Sequence, residues 1–526
     1  MNKGRQNVAF IGDDGHTTTD FQRATTGGDG KFQDNSSYSF SYELQEERKL
    51  PLSLTLSDET TATENEVKRD TWGNGLEFLM SCIAMSIGLG NVWRFPFTAY
   101  ENGGGVFLIP YIIVLFLVGK PFYYLEMIMG QFSSRSSVKM WSAVPGFRGV
   151  GWAQMFSMLA VGTYYCFLMS ITLYYLVASF QSSLPWSTCL EEWGNSCADS
   201  GSSYNITKRN STNMTSSAEL YFRDVLVVTT LDTFTSLIAG FTIFGILGNL
   251  AHELGTEDIS NVVRGGTGLA FVSYPDAIAK FNVLPQLFSV LFFLMLYVLG
   301  IGSAIALAGA IITIISDQFP NWRYIYIVTG TCTFGFCAGI IYCTPGGQFI
   351  LELVDYYAGS FIVFILATLE IIGIFWVYGL ENFLDDVEYM LKRRPSVYWR
   401  LCWTLVIPIL LAVILVYTII NLKPLTYSDI SYPDSAHVAG WTICTFGILQ
   451  VPFWMTYAII SKRNLSPIKM IKSAFKPSSD WGPKNSKELA SWNEFKETKR
   501  KIREKRESSI IKQFVYVILC WEDKLV

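Results

Sequence analysis

The residues whose types and spacing could do chemistry begin at Gly88. Between Phe78 and Gly105 the chain reads FLMSCIAMSIGLGNVWRFPFTAYENGGG, an apolar helix of membrane length that is interrupted at mid-depth. Gly88 and Gly90 weaken the helix, Asn91 follows at once, and Arg94 and Pro96 stand where hydrocarbon-compatible residues would continue. A helix broken inside a bilayer strands backbone N–H and C=O groups unless something pairs with them. Carbonyls at the end of one half-helix suit a cation, and amides at the start of the next suit an anion. The glycines alone also fit a close-packing face beside a hydrogen-bonded asparagine. Asn91, Arg94 and Pro96 within the same turn and a half favour the binding site.

Two further features could serve such a site. LGIGSAIA, residues 299–306, puts a hydroxyl at Ser303 in a run of small residues that by itself reads as close packing. Asp232 and Glu370 are acids inside apolar runs, and intramembrane acids mark function by default. A buried, protonated structural Asp is the alternative at Asp232.

The elements that must hold these residues are membrane helices. The 526 residues are 50% apolar and 15% aromatic, with mean hydropathy +0.30, and the apolar residues fall in uncharged runs too long for core helices. This is an all-α polytopic membrane chain. The net charge of −4 decides nothing, because the distribution of Lys and Arg matters more than their sum. Residues 1–70 are polar and read as a cytoplasmic disordered tail without a cleavable signal peptide. No hydrolase motif, Walker loop, metal cluster or nucleophile triad occurs, so neither an enzyme nor a nucleic-acid binder is expected; a channel or receptor is the competing class.

Nine spans are expected, at about residues 75–100, 106–131, within 151–190, then 225–251, 287–316, 324–351, 356–378, 401–422 and 438–461. Residues 71–462 thus form the membrane domain. The loop at 183–222 carries sequons at Asn205, Asn210 and Asn213, so it reads as lumenal and glycosylated. Cys189 and Cys197 then lie on the oxidising side, at a spacing that allows a disulfide. Residues 253–284 are amphipathic and Gly/Pro-punctuated, and read as a re-entrant or extracellular helical lid. Residues 463–526 read as a cytoplasmic basic tail. Nine is inconsistent with the charges: with the sequon loop outside, both the LKRRP loop and the basic tail would also lie outside, against the positive-inside tendency. An odd number of additional spans before Val225 would restore both, so helices look absent there.

The run SIGLGNVWRFPFTAYENGGGVFLIPYIIVLFLVGKPFYYLEMIMGQF resembles the first two helices of the neurotransmitter:sodium symporters. The TYY of the third span, the LPW…C…C loop, RGGTGLAFVSYP and VDYYAGS…WVYGLENF resemble the same family, and the detail is similar to the insect-type nutrient amino acid transporters within it. The resemblance covers about residues 68–462. It implies a twelve-helix inverted-repeat fold in which helices four to six, the sixth being the second broken helix, have no counterpart here; the junction falls at Phe222–Arg223.

The resemblance also implies roles. One sodium site would take the Ser86 carbonyl, the Asn91 side chain and Asp232, where the family usually has Asn. The second would take carbonyls of Ala84, Ile87 and Leu299 with the Ser303 hydroxyl. Gly302 stands where the family usually has Thr or Asp, so one oxygen is lost, leaving room for water or for relaxed selectivity that admits potassium. Chloride is left open, because Asp232 could replace it; Tyr111 and Ser236 match chloride-site positions. Amides of Leu89 and Gly90 and the Tyr165 hydroxyl would bind a substrate carboxylate, with Val161 and Leu307 lining an apolar pocket. Monoamine carriers have Asp at the position of Gly88, so neutral amino acids are expected. Arg94 with Asp355 would form an outer ion pair, and Arg69 with Asp317 an inner one, Trp72 completing R-x-x-W. The implied activity is cation-coupled symport across the plasma membrane by alternating access. Self-association is left open. The alternative is a transport-deficient splice form or incomplete gene product, retained in the endoplasmic reticulum.

Overall fold

In the computed structural model the described residues are 75–92, 94–189, 197–198, 215–216, 268–281, 283–422, 424–427, 430–505 and 510–520. They are overwhelmingly helical, as long runs without charge require in a bilayer, where only intrasegment hydrogen bonds satisfy the backbone. The broken first helix consists of α1 (Gly75–Ser86) and α2 (Arg94–Glu101). Seven helices long and apolar enough to cross a membrane follow among the described residues. They are α3 (Gly104–Ser133), α4 (Pro145–Ala178), α6 (Pro285–Gln318), α7 (Tyr324–Cys343), α8 (Gly347–Leu391), α9 (Val397–Ile420) and α10 (Asp434–Ile460). Between α4 and α6 lies the short helix α5 (Leu269–Ala279). With the broken helix, eight of the nine expected spans are therefore present; the one at 225–251 lies outside the described residues, as do the tail at 1–70 and most of the sequon loop.

The structure refines four of these expectations. The span expected at 324–351 ends at Cys343, because Pro345 and Gly346 interrupt it, and Gly347–Leu351 opens the next helix. That helix, α8, continues well past the expected end at Tyr378. It turns at Gly379, whose φ of 100° is open to glycine and strained for other residues, and then runs on to Leu391. The LKRRP loop, expected between the spans at 356–378 and 401–422, shrinks accordingly to residues 392–396. The basic tail is also folded over much of its length. Helices α11 (Pro467–Ala474), α12 (Ser486–Glu504) and α13 (Ile510–Ile518) follow α10, and Trp481 and Trp492 are buried. Asn485 caps α12, its side chain accepting from the Lys487 and Glu488 amides. Within the expected lid, the described part α5 is buried rather than amphipathic.

Two apolar clusters organise the bundle. One joins Leu89 and Val92 of the break to Tyr164, Tyr165 and Tyr175 of α4, to α5, and to Phe293 and Leu296 of α6. The other joins Leu125 and Phe132 of α3, Phe375 and Phe383 of α8, Trp403 of α9, Cys444 of α10, and Trp481 and Trp492. The first positions the candidate site; the second anchors the opposite end of α8.

Candidate functional site

The site starts from the interruption of the first helix. Gly88 is extended (φ −134°, ψ 176°), Leu89–Asn91 form one 3₁₀ turn, and helix resumes at Arg94. The backbone bonds across the break are Asn91 N–H to the Gly88 carbonyl (3.0 Å) and Val92 N–H to the Leu89 carbonyl (2.9 Å). Ala84 and Ile87 are therefore at the carbonyl-rich end of a half-helix, the end that carries partial negative charge.

Helix α6 brings a third oxygen to these two. Ser303 Oγ lies 3.4 Å from the Ala84 carbonyl oxygen and 3.1 Å from that of Ile87. This approach requires Gly302: a Cβ there would lie 2.8 Å from both the Ala84 Cβ and its carbonyl oxygen. A Thr or Asp at 302 could not enter without separating the two helices, so the oxygen missing from the expected ligand set is exchanged for close packing. Two carbonyls and a hydroxyl form a neutral oxygen cradle, the donor type a hard cation takes. Leu299 sits one turn earlier on α6.

On the other side of Gly88 the cradle opens towards α4. A Cβ on Gly88 would stand 3.6 Å from Ser303 Oγ and 3.7 Å from Tyr165 Oη, ordinary contact distances. Tyr165 is buried. Val161 lies one turn before Tyr165 and Leu307 one turn beyond Ser303, both partly buried against the same cluster. The structure thus brings Ala84, Ile87, Gly88, Tyr165 and Ser303 together, with Val161 and Leu307 on the adjoining turns. The Leu89 side chain is buried in the core, so only its backbone is available to a ligand. Ser86 donates its hydroxyl to the Cys82 carbonyl (2.8 Å) and reaches Tyr123 Oη at 3.4 Å, away from the cradle. Asn91 and Gly90 are half-buried at the 3₁₀ turn. Asp232 and Ser236 lie outside the described residues. Tyr111 packs edge-on against Phe95 (4.9 Å between centroids).

The expected outer pair is formed. Arg94 Nη2 bonds Asp355 Oδ2, and the Tyr164 hydroxyl donates to Asp355 Oδ1 at 2.6 Å. Sequence reading missed Tyr164. The signal was its neighbour: consecutive helical residues point about 100° apart, so Tyr165 facing the break leaves Tyr164 facing α8. Also missed was Tyr274 of α5, whose hydroxyl donates to the Val92 carbonyl (3.1 Å). At the other end, Asp317 accepts the Ser136 amide (2.8 Å), tying α6 to the loop after α3. Arg69 and Trp72 lie outside the described residues, as do Asn205, Asn210 and Asn213. Cys189 is disulfide-bonded, and Cys82, Cys166, Cys332, Cys337, Cys343, Cys402, Cys444 and Cys520 are free thiols. Cys197 pairs in a short parallel bridge with Thr215.

A helical membrane bundle whose first span breaks around an oxygen cradle, with an ion pair closing one side, defines the class of secondary transporters. Comparison with known proteins narrows this. The model of the sodium:neurotransmitter symporter family matches residues 69–226 and 216–462. The sodium-dependent nutrient amino acid transporter 1 of Drosophila persimilis is 42% identical over 594 aligned positions, covering 86% of this chain and 91% of that protein. Its Drosophila melanogaster counterpart is 42% identical over 588 positions, covering 84% and 92%. The chain belongs to the sodium:neurotransmitter symporter family.

Proposed function

We propose that the chain is a sodium-coupled symporter of neutral amino acids at the plasma membrane, working by alternating access. The observation that carries this reading is the cradle itself: the Ala84 and Ile87 carbonyls converge on Ser303 beside an opening bounded by Tyr165. Sodium would be held by these oxygens. The Leu89 and Gly90 amides, with the Tyr165 hydroxyl, would hold the substrate carboxylate, and Val161 and Leu307 would face its side chain. The absence of a side chain at Gly88 leaves room for the α-amino acid's own carboxylate near the cation. Family membership and the relatives' dependence on sodium support the coupling. Asp232 would add a negative charge to the other cation site, and a disulfide from Cys189 to Cys197 would brace the loop. The test is uptake of labelled leucine into proteoliposomes under an inward sodium gradient. Accumulation above equilibrium supports coupled symport, and passive current without coupled flux would favour a channel.

One set of observations favours a second reading, in which this form does not complete the cycle. The family match comes in two pieces that meet at 216–226. The 594 aligned positions exceed the roughly 452 residues that 86% of the chain represents, so about 140 positions of the relative face no residue here. That length accommodates three helices of about 20 residues with their loops. Surface arrival without sodium-driven accumulation would establish this reading, and robust accumulation would overturn it.

A further inference from the structure

The helical break creates a second problem that the cradle does not solve. In an α-helix the carbonyl of residue i accepts from the amide of residue i+4. Val92 lies in the interruption just before α2, outside that ladder, and Pro96, four residues on, has no N–H to offer it. Val92 is completely buried, so bulk water cannot serve the carbonyl. The Tyr274 hydroxyl serves it instead, from α5, across 182 residues of sequence. Tyr274 is itself 2% exposed, and the Phe292 ring packs edge-on against it at 5.4 Å. The bond is therefore dry and its donor is held in place.

The same arrangement recurs at the other side of α5. Phe271 lies in the π-helical turn Leu269–Ser273 that opens α5, four residues before Pro275. The Tyr175 hydroxyl of α4 donates to it at 3.0 Å. Helix α5 is held through two tyrosine hydroxyls, each pairing with a backbone carbonyl. One bond runs to α4. The other runs to the unwound segment, five residues from the Ile87 carbonyl of the cradle.

We propose that Tyr274 is a positioning residue that couples α5 to the broken helix, so that a cation in the cradle tightens α5 and departure of α5 loosens the break. Coupling of this kind is reciprocal by linkage. The cation half of the statement rests on the cradle reading above; the mechanical half does not. A cradle occupied by a cation fixes Ala84 and Ile87, hence the turn that presents the Val92 carbonyl, and so the acceptor to which α5 is tied.

The experiment is hydrogen exchange, read by mass spectrometry, on the purified full chain in nanodiscs, with sodium or with choline. In the parent, sodium slows exchange in peptides covering 84–92 and in those covering 268–279. Tyr274→Phe without sodium speeds exchange in 268–279 by about five- to tenfold, the change expected from one lost hydrogen bond to a buried carbonyl. In the same variant sodium still protects 84–92 but no longer protects 268–279. Tyr175→Phe loosens 268–279 by a similar factor yet leaves its sodium response in place, which separates coupling from mere anchoring. Pro96→Ala restores a donor to Val92 and so slows exchange in 84–96 when combined with Tyr274→Phe; it also keeps the proposal testable if the single variant folds poorly. Sodium protection of 268–279 that survives Tyr274→Phe would overturn the proposal. If sodium protects neither segment in the parent, the cradle reading fails alone, and unchanged exchange of 268–279 in Tyr274→Phe without sodium would then overturn the mechanical half.

Discussion

Helix α8 carries acids at both ends, and the two ends are closed in opposite ways. Asp355 and Asp385 are separated by 30 residues, about 45 Å of helix. At the Asp355 end the closure is one ion pair to Arg94 and one tyrosine hydroxyl, and the Arg94 side chain remains 51% exposed. At the Asp385 end it is a redundant network. Asp385 accepts from Arg394 (2.7 Å) and Arg503 (2.5 Å), and Glu388 from Arg394 (2.5 Å) and Lys499 (2.7 Å). Asp386 accepts from Tyr378 (2.5 Å), Trp492 (3.1 Å) and Lys496 (3.0 Å), and Trp481 donates to Tyr378 (2.8 Å). A single, half-wet pair contributes little net stability and can open repeatedly. A multiply bonded set centred on two buried aspartates is costly to break, so α12 acts as a fixed brace on α8.

The comparison breaks first at the braced end. Asp386→Ala leaves the Lys496 ammonium facing Tyr378 and Trp492 without its partner, which should destabilise the fold by about 3–5 kcal/mol. Loss of the monodisperse peak in detergent chromatography, or a large drop in melting temperature, is the expected readout; an unchanged melt would show that the network is decorative.

Gly88→Asp tests the site between the two ends. The new carboxylate would occupy the opening between Ser303 and Tyr165 and repel a substrate carboxylate. Binding of labelled leucine to the folded variant should fall by about a hundredfold, roughly 2.7 kcal/mol, while the melting temperature moves little. Unchanged binding would place the substrate elsewhere.

Arg94→Ala sharpens the contrast from the weak end. It should change stability by only about 0–1 kcal/mol. Its effect should appear instead as faster labelling of a cysteine introduced at Val161 by a hydrophilic thiol reagent, measured against a parent carrying the same cysteine. A melting loss as large as that of Asp386→Ala would erase the distinction between the ends.

Much of this was legible in the residues. Gly88, Gly90 and Asn91 announced the break because they disrupt a helix locally, whereas Ser303 in its run of small residues read as close packing and drew its role from the family resemblance. The pairing of Arg94 with Asp355 came from the family resemblance. What escaped depended on partners distant in sequence. Tyr274 matters only because Pro96 lacks a donor, and no local pattern relates residue 274 to residue 92. Lys496, Lys499 and Arg503 read as a solvated basic tail, since a count of charges does not reveal Asp385, Asp386 and Glu388 waiting on α8. The end of α7 was misplaced because the apolar residues continue past Pro345 and Gly346, although the backbone does not.

The central claim is that the Ala84 and Ile87 carbonyls with Ser303 form a sodium site, and all three residues lie on helices present in this chain. Saturable binding of radioactive sodium to the purified 526-residue chain tests it directly, with Ser303→Ala as the paired variant. The account predicts saturable binding in the parent, weakened by about tenfold or more in Ser303→Ala, equivalent to 1.4 kcal/mol for one lost oxygen ligand. Absence of saturable sodium binding in the folded parent, or identical affinity in Ser303→Ala, would contradict it.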